Sequence, residues 1–313
     1  MTPSGAHQVY GLHLTGVTGA GLLPAPAADT AVPRVVIRHA RQDPEPECLG
    51  TQRAVLGLPG LRQLLLRRGE GTATFTGPRL SHDELVHPYL GAAASVFSRW
   101  GGREVFHAGA FVFGGLAWAV VGGREAGKST LLAALAAREL PVLADDLFVT
   151  DGHQAFCGPR TIDLRQLAPG ATAPVTLVRD ASRWRLALPP LPGAVPIGGW
   201  IYLCWRAEVG MHAVPASRSL ARLAVRRSWP ALPSDLQVLL ALSARPAWDL
   251  GRPADWTRMD HSVDLMLQTL QAAIRPQASG RPQASGRKSS SPASAHALRK
   301  PATSRAATAA ESR

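Results

Sequence analysis

The segment Gly122-Gly123-Arg124-Glu125-Ala126-Gly127-Lys128-Ser129-Thr130 carries glycine, glycine, lysine and serine at the spacing G-x-x-x-x-G-K-S. That pattern suits one kind of chemistry. Small residues let successive backbone N–H groups curl round a phosphate, and a helix starting near Lys128 points the positive end of its dipole at the same anion. The Lys128 ammonium is then placed to reach the outer phosphates of ATP, and the Ser129 hydroxyl to ligate Mg2+. The whole segment from Gly122 to Thr130 is the expected nucleotide contact. Lysine usage agrees: among 34 basic residues only Lys128, Lys288 and Lys300 are lysines, and the last two lie in a tail of different composition. The single lysine of the main body falls where a compact ammonium must fit inside a loop.

Asp145 and Asp146 close the short apolar run Val142-Leu143-Ala144, one strand after the helix that the loop opens. A carboxylate pair so near the loop suits small kinases. One aspartate helps to hold the metal while its neighbour takes the proton of an acceptor hydroxyl. Ser129 and Asp146 are assigned to the metal, although either aspartate could serve as the base. Arg160 and Arg165, a little downstream, could add charge in the transition state, but arginines on a solvated loop are the commoner case.

The elements that must position these groups can be read from periodicity. Val105–Phe113 and Leu116–Val121 are apolar, β-prone runs joined by Gly114-Gly115, a hairpin signal. The second strand runs into the loop, and Leu131, Leu132, Leu135 and Ala136 have helical spacing up to about Glu139. Upstream, Pro88–Trp100 has the spacing of an amphipathic helix, and Leu58–Arg68 could form a short one. Residues 1–85 are otherwise rich in Pro and Gly with short β-like runs, and no chemistry is legible in them.

In this order Phe106-His107-Ala108-Gly109-Ala110, Gly114-Gly115, the loop Gly122–Thr130 and Val142-Leu143-Ala144-Asp145-Asp146 resemble the catalytic core of HPr kinase/phosphorylase and its relatives. Ala244–Asp255 and the helix-like Asp260–Ile274 resemble the C-terminal end of divergent HPr-kinase-related proteins from peptide-modifying gene clusters. The resemblance spans roughly residues 86–274. It implies an α/β fold of the HPr kinase/phosphoenolpyruvate carboxykinase type, a P-loop kinase core with a mixed β-sheet and flanking helices, and Mg-ATP as cofactor. It also implies a serine hydroxyl as acceptor, Lys128 and Ser129 in the loop roles, Asp145 and Asp146 as base and metal carboxylates, and His107 near the reacting phosphate. No counterpart of the family's EVRG-type segment or separate N-terminal domain is found, so HPr itself and the reverse phosphorolysis are not implied.

Composition sets the outer bounds. With 46% hydrophobic residues the chain can bury a sizeable core, and its formal charge of +12 comes with only 18% charged residues. Much of the excess lies in residues 275–313, which hold eight basic residues against one acidic and repeat RPQASG twice. That segment reads as a solvated, disordered tail. The mild basicity of the body is a poor argument for specific nucleic-acid binding. Cys48, Cys157 and Cys204 follow no ligand or disulfide pattern, and no run suits a leader or membrane span, so a cytoplasmic protein is expected. Three parts follow: a β-rich region at 1–85, a nucleotide-binding kinase domain at 86–274 and the tail. The leading expectation is an ATP-dependent kinase acting on a peptide or small-protein hydroxyl, with a homo-oligomeric state left open. A nucleotide-binding regulatory or scaffold protein is the alternative. A transporter-type ATPase is disfavoured because no LSGGQ-like segment follows.

Overall fold

Gly114 and Gly115, at φ of +61° and +75°, make a two-residue turn that pairs Ala108–Phe113 with Leu116–Val121. Both turn residues need a left-handed backbone, which glycine adopts without strain. In the computed structural model, which describes residues 5–17, 21–25, 32–168 and 174–274, this hairpin lies inside a nine-stranded mixed sheet. The tail at 275–313 lies outside the described residues.

Leu116–Val121 is antiparallel to Ala108–Phe113 and parallel to Ala194–Trp205, which in turn is parallel to Ala247–Arg252. Side chains alternate along it. Trp118 and Val120 enter a core with Leu131, Leu132 and Leu135 of the helix Lys128–Ala137 and with Val263, Met266 and Leu270 of the helix Met259–Ile274. Ala117, Ala119 and Val121 face a second core containing Trp200 of the strand Ala194–Trp205, Leu223 of the helix Ala216–Arg226, and Leu239 and Leu242 of the helix Leu236–Ser243. A strand covered on both faces carries no polar position, which is why its sequence reads as an unbroken apolar run.

The predicted single strand over 105–113 is two. Glu104–Phe106 pairs with Phe148–Thr150, Ala108–Phe113 pairs elsewhere, and His107 sits at the break with a half-exposed side chain. The predicted helix at Leu58–Arg68 is a second hairpin, with strands Arg53–Leu58 and Arg62–Arg67. Its turn at Pro59-Gly60-Leu61 has φ of +75° and +57° at the last two residues, and Leu64, Leu65 and Leu66 are all buried, so helical spacing of leucines reflected a strand covered on both sides.

That hairpin belongs to a separate sheet of eight strands among the described residues, in the order Leu23–Pro24, His7–Val9, Leu12–Thr15, Arg34–Ala40, Thr72–Thr76, Arg62–Arg67, Arg53–Leu58, Cys48–Leu49. Leu12, Leu64 and Phe75 from this sheet pack with Leu90, Ala94 and Phe97 of the helix Leu90–Trp100 and with Leu147 and Val149. Residues on both sides of position 85 thus share one core, and the described residues up to Ile274 belong to one compact unit.

The entry to Leu90–Trp100 is shaped by two local signals. Ser81 Oγ accepts from Glu84 N–H while the Glu84 carboxylate accepts from Ser81 N–H, a reciprocal cap on a single helical turn at His82–Glu84. Pro88 then pushes the residue before it out of the helical region, and His87 takes φ −150°, ψ 123°. A three-stranded antiparallel sheet, Thr161–Leu164, Arg183–Ala187 and Val175–Val178, completes the set.

Candidate active site

The loop leaves the end of Leu116–Val121 and enters Lys128–Ala137, with Gly127 as N-cap at φ +79°. Glu125 is also left-handed, at φ +64°. Behind the loop stands Arg252, the last residue of its strand and 3% exposed. Its Nη2 donates to the carbonyls of Ala126 and Gly127 at 3.2 and 3.1 Å, and its guanidinium lies 4.6 Å from the centre of the Trp205 ring. In a trans peptide N–H points away from C=O, so the N–H groups of Gly127 and Lys128 face away from Arg252. Burial lowers the Arg252 pKa to about 10.

Lys128, Ser129 and Thr130 line a cavity of about 550 Å3 together with Asp145 and Asp146. Lys128 Nζ donates to the carbonyls of Gly122 and Gly123 at 3.2 and 3.1 Å and to Nε2 of His107 at 3.2 Å. An imidazole nitrogen that accepts from an ammonium carries no proton, so the His107 proton is assigned to Nδ1, which stands 3.9 Å from Asp146 Oδ1. Burial, and then the Lys128 charge, lower the His107 pKa, while burial lowers that of Lys128.

The aspartates diverge. Asp145 is 5% exposed and accepts from Ser129 Oγ at 3.0 Å. Burial, reinforced by the Asp146 charge, pushes its carboxyl well above the usual carboxylate range. Asp146 adopts φ +99°, a conformation that costs free energy in any residue with a side chain, and its carboxylate is 41% exposed. It lies between His107 and His87, whose Nε2 is 3.5 Å from Asp146 Oδ2 and whose pKa is lowered by burial.

The far end of the cavity is basic. Arg165 pairs with Glu125 at 2.8 Å, Arg124 stands 3.9 Å from the same carboxylate, and Arg179 is 3.9 Å from Asp163, which is already held by Arg185. Arg183 donates to the Ser182 carbonyl, and burial followed by the charges of Arg179 and Arg165 lowers its pKa. Arg160 is not part of this rim or of a solvated loop: it is 3% exposed and donates to the carbonyls of Val142, Leu143 and Pro189.

Of the sequence-derived site residues, Arg124, Glu125 and Gly127–Thr130 line one cavity with His107, Asp145 and Asp146, whereas Gly122, Gly123 and Ala126 do not line it. The metal-side hydroxyl of Ser129, however, rests on Asp145 and not on Asp146. Sequence reasoning missed His87, whose only signal is the proline after it, and Arg179, Arg183 and Arg252, which carry none. A second cavity, of about 360 Å3, adjoins the first and shares His87, Pro88, His107 and Asp146 with it.

No family model matches the chain, and no curated protein matches it. Among solved structures, the HPr(Ser) kinase/phosphatase from Coxiella burnetii is matched at 11% identity over 54% of this chain and 98% of that one, with a TM-score of 0.30. This is a distant structural likeness, too slight for an argument about activity. Among the described residues no helix is long and apolar enough to cross a membrane.

Proposed function

We propose that this chain is an ATP-dependent kinase that transfers the γ-phosphate of Mg-ATP to a hydroxyl, that of a serine in a peptide or small protein. One observation carries the reading: Lys128, Ser129, Asp145 and Asp146 meet on one cavity, with the Ser129 hydroxyl on Asp145 at 3.0 Å. The donor set fits the ligand. Ser129 and Asp145 offer the hard oxygens that Mg2+ prefers, and Lys128 with the loop N–H groups offers donors to phosphate oxygens. Bound Mg2+ would offset the charge that builds on the outer phosphates. The choice of serine as acceptor rests on the resemblance of the sequence to HPr kinase/phosphorylase.

In this arrangement Asp145 serves the metal side, the reverse of the assignment drawn from the sequence. Asp146, open to the cavity, accepts the proton of the acceptor hydroxyl as that oxygen bonds to the γ-phosphorus and ADP leaves. His107 and His87 hold its carboxylate between them. Lys128 and the arginines that line the cavity supply positive charge. Incubation with Mg-ATP and fractionated lysate, followed by mass spectrometry of peptides, tests the proposal. Phosphate on a serine is expected; nucleotide binding with no transfer to any fraction would leave only the regulatory reading.

A further inference from the structure

The smaller cavity has a character unlike that of the nucleotide cavity. Its walls come from Val86, Pro88, Ala92, Leu147 and Trp229, and the carboxyl side chain of Asp146 lies at the wall it shares with the other cavity. The arginines of the basic rim line the nucleotide cavity and not this one. Trp229 is fixed in place: its Nε1 donates to Ser95 Oγ at 2.7 Å, and Ser95 in turn donates to the Ala92 carbonyl.

Gly91 gives a second, independent indication. It is the second residue of the helix Leu90–Trp100, where glycine is the poorest choice after proline. No close approach demands it, since a Cβ built there meets nothing within 4 Å. It lines the smaller cavity, and a side chain at 91 would narrow it.

We infer that the cleft between Gly91 and Trp229 is the acceptor subsite, and that it takes a peptide serine whose neighbours are uncharged or basic, never acidic. The inference rests on the kinase reading above and adds the acceptor's side of the reaction. The serine hydroxyl reaches Asp146 from this side, loses its proton to that carboxylate and gains the γ-phosphoryl group from the other cavity, with ADP as the leaving group. Apolar neighbours of the serine meet Pro88, Ala92 and Trp229. An acidic neighbour would stand beside Asp146, and no arginine or lysine lines the cleft to pair with it.

The test uses the full chain with Mg-ATP and three sets of serine peptides whose flanking residues are acidic, uncharged or basic, with glycerol as a free alcohol. Gly91→Leu and Gly91→Ala are compared with the parent, and ATP-dependent thermal stabilisation is measured for each. The expected result is transfer to uncharged and basic peptides at least tenfold above the acidic set, loss of most transfer in Gly91→Leu, and a smaller loss in Gly91→Ala, whose single methyl narrows the cleft less. ATP stabilisation should be equal in all three proteins, which shows that the leucine variant folds. Full transfer by Gly91→Leu, preference for acidic peptides, or transfer to glycerol alone would overturn the subsite while leaving the kinase reading intact. Absence of transfer to every acceptor by the parent, with ATP stabilisation present, would remove the kinase reading and the subsite together.

Discussion

The Lys128 ammonium donates to Nε2 of His107 at 3.2 Å, joining the phosphate-type loop to the break between two strands. The same ammonium is bound to the carbonyls of Gly122 and Gly123, so it is held by neutral acceptors with no carboxylate in direct contact. A phosphate oxygen is a stronger partner for it than a carbonyl. Mg-ATP should therefore stabilise the parent against heat, and Lys128→Ala should abolish that shift. Equal stabilisation of both proteins in calorimetry would show that the loop does not bind the nucleotide.

Asp146 and His107 should matter for transfer and little for binding. A general base acts on the transition state far more than on nucleotide affinity. Asp146→Asn is expected to lower the rate of phosphate transfer by roughly 10²–10⁴-fold. His107→Gln should give a smaller loss, since it removes a group that orients the carboxylate. In both, ATP-dependent stabilisation should persist. Full turnover in Asp146→Asn would show that Asp146 is not the base.

Asp145 gives a pH-dependent expectation of defined sign. Its folded pKa is raised above the ordinary 3.8, so between those values the folded state keeps a proton that the unfolded state has lost. The contribution to stability is then present below about 3.8 and lost as pH rises through the folded value. Asp145→Asn removes this loss and the repulsion from Asp146, while its amide oxygen can still accept from Ser129. Without nucleotide, the variant should melt higher than the parent at pH 7, with the gap shrinking as pH falls towards 4. A lower melting temperature at pH 7 would contradict the argument. Activity should fall, because the amide is a poor partner for a metal.

How legible this was in the sequence differs by element. The loop, its helix and the Asp145–Asp146 strand end could be read because each depends on local rules: glycine spacing, a helical repeat and a short apolar run. The Gly114-Gly115 hairpin was legible for the same reason. Leu58–Arg68 misled because burial on both faces of a strand erases the alternation that marks a strand. The strand break at His107 depends on two different pairing partners, Phe148–Thr150 and Leu116–Val121, and such long-range choices leave no local trace. Arg252 lies 125 residues from Gly127, so its contact with the loop has no pattern to find. The pair of aspartates was seen, but not which one meets Ser129, because that depends on the left-handed backbone at Asp146.

The buried ion pair of Arg99 and Glu104 is expected to be costly to break from either side. Both side chains are 1% exposed, and Arg99 also donates to the carbonyls of Leu232 and Pro233 and to Ser234 Oγ. It therefore ties the helix Leu90–Trp100 to the segment that follows Trp229. Removing one partner leaves the other charge buried and unpaired, which costs about 3–5 kcal/mol. Arg99→Ala should lower the free energy of unfolding by that amount, and Glu104→Gln by less, since the amide keeps a hydrogen-bonding group. A change below about 1 kcal/mol for Arg99→Ala, the range of an exposed pair, would show that water reaches the site.

Gly127 and Arg252 should be coupled, and the coupling can be separated into two parts. A Cβ at position 127 would lie 2.2 Å from Arg252 Nη2, and the backbone there is held at φ +79°. Gly127→Ala thus meets a clash and also the cost of a left-handed alanine, about 1–2 kcal/mol. Arg252→Ala removes the clash but also the donors to the carbonyls of Ala126 and Gly127. In the double variant the conformational cost should remain while the clash disappears. The two single destabilisations should then sum to more than the double, with a difference of about 0.5–3 kcal/mol, the range for residues in contact. The same cycle read through nucleotide stabilisation should show each single variant weakened, because Arg252 holds the loop through the carbonyls of Ala126 and Gly127. Strict additivity in the denaturation midpoints would mean that Arg252 moves aside freely and does not set the shape of the loop.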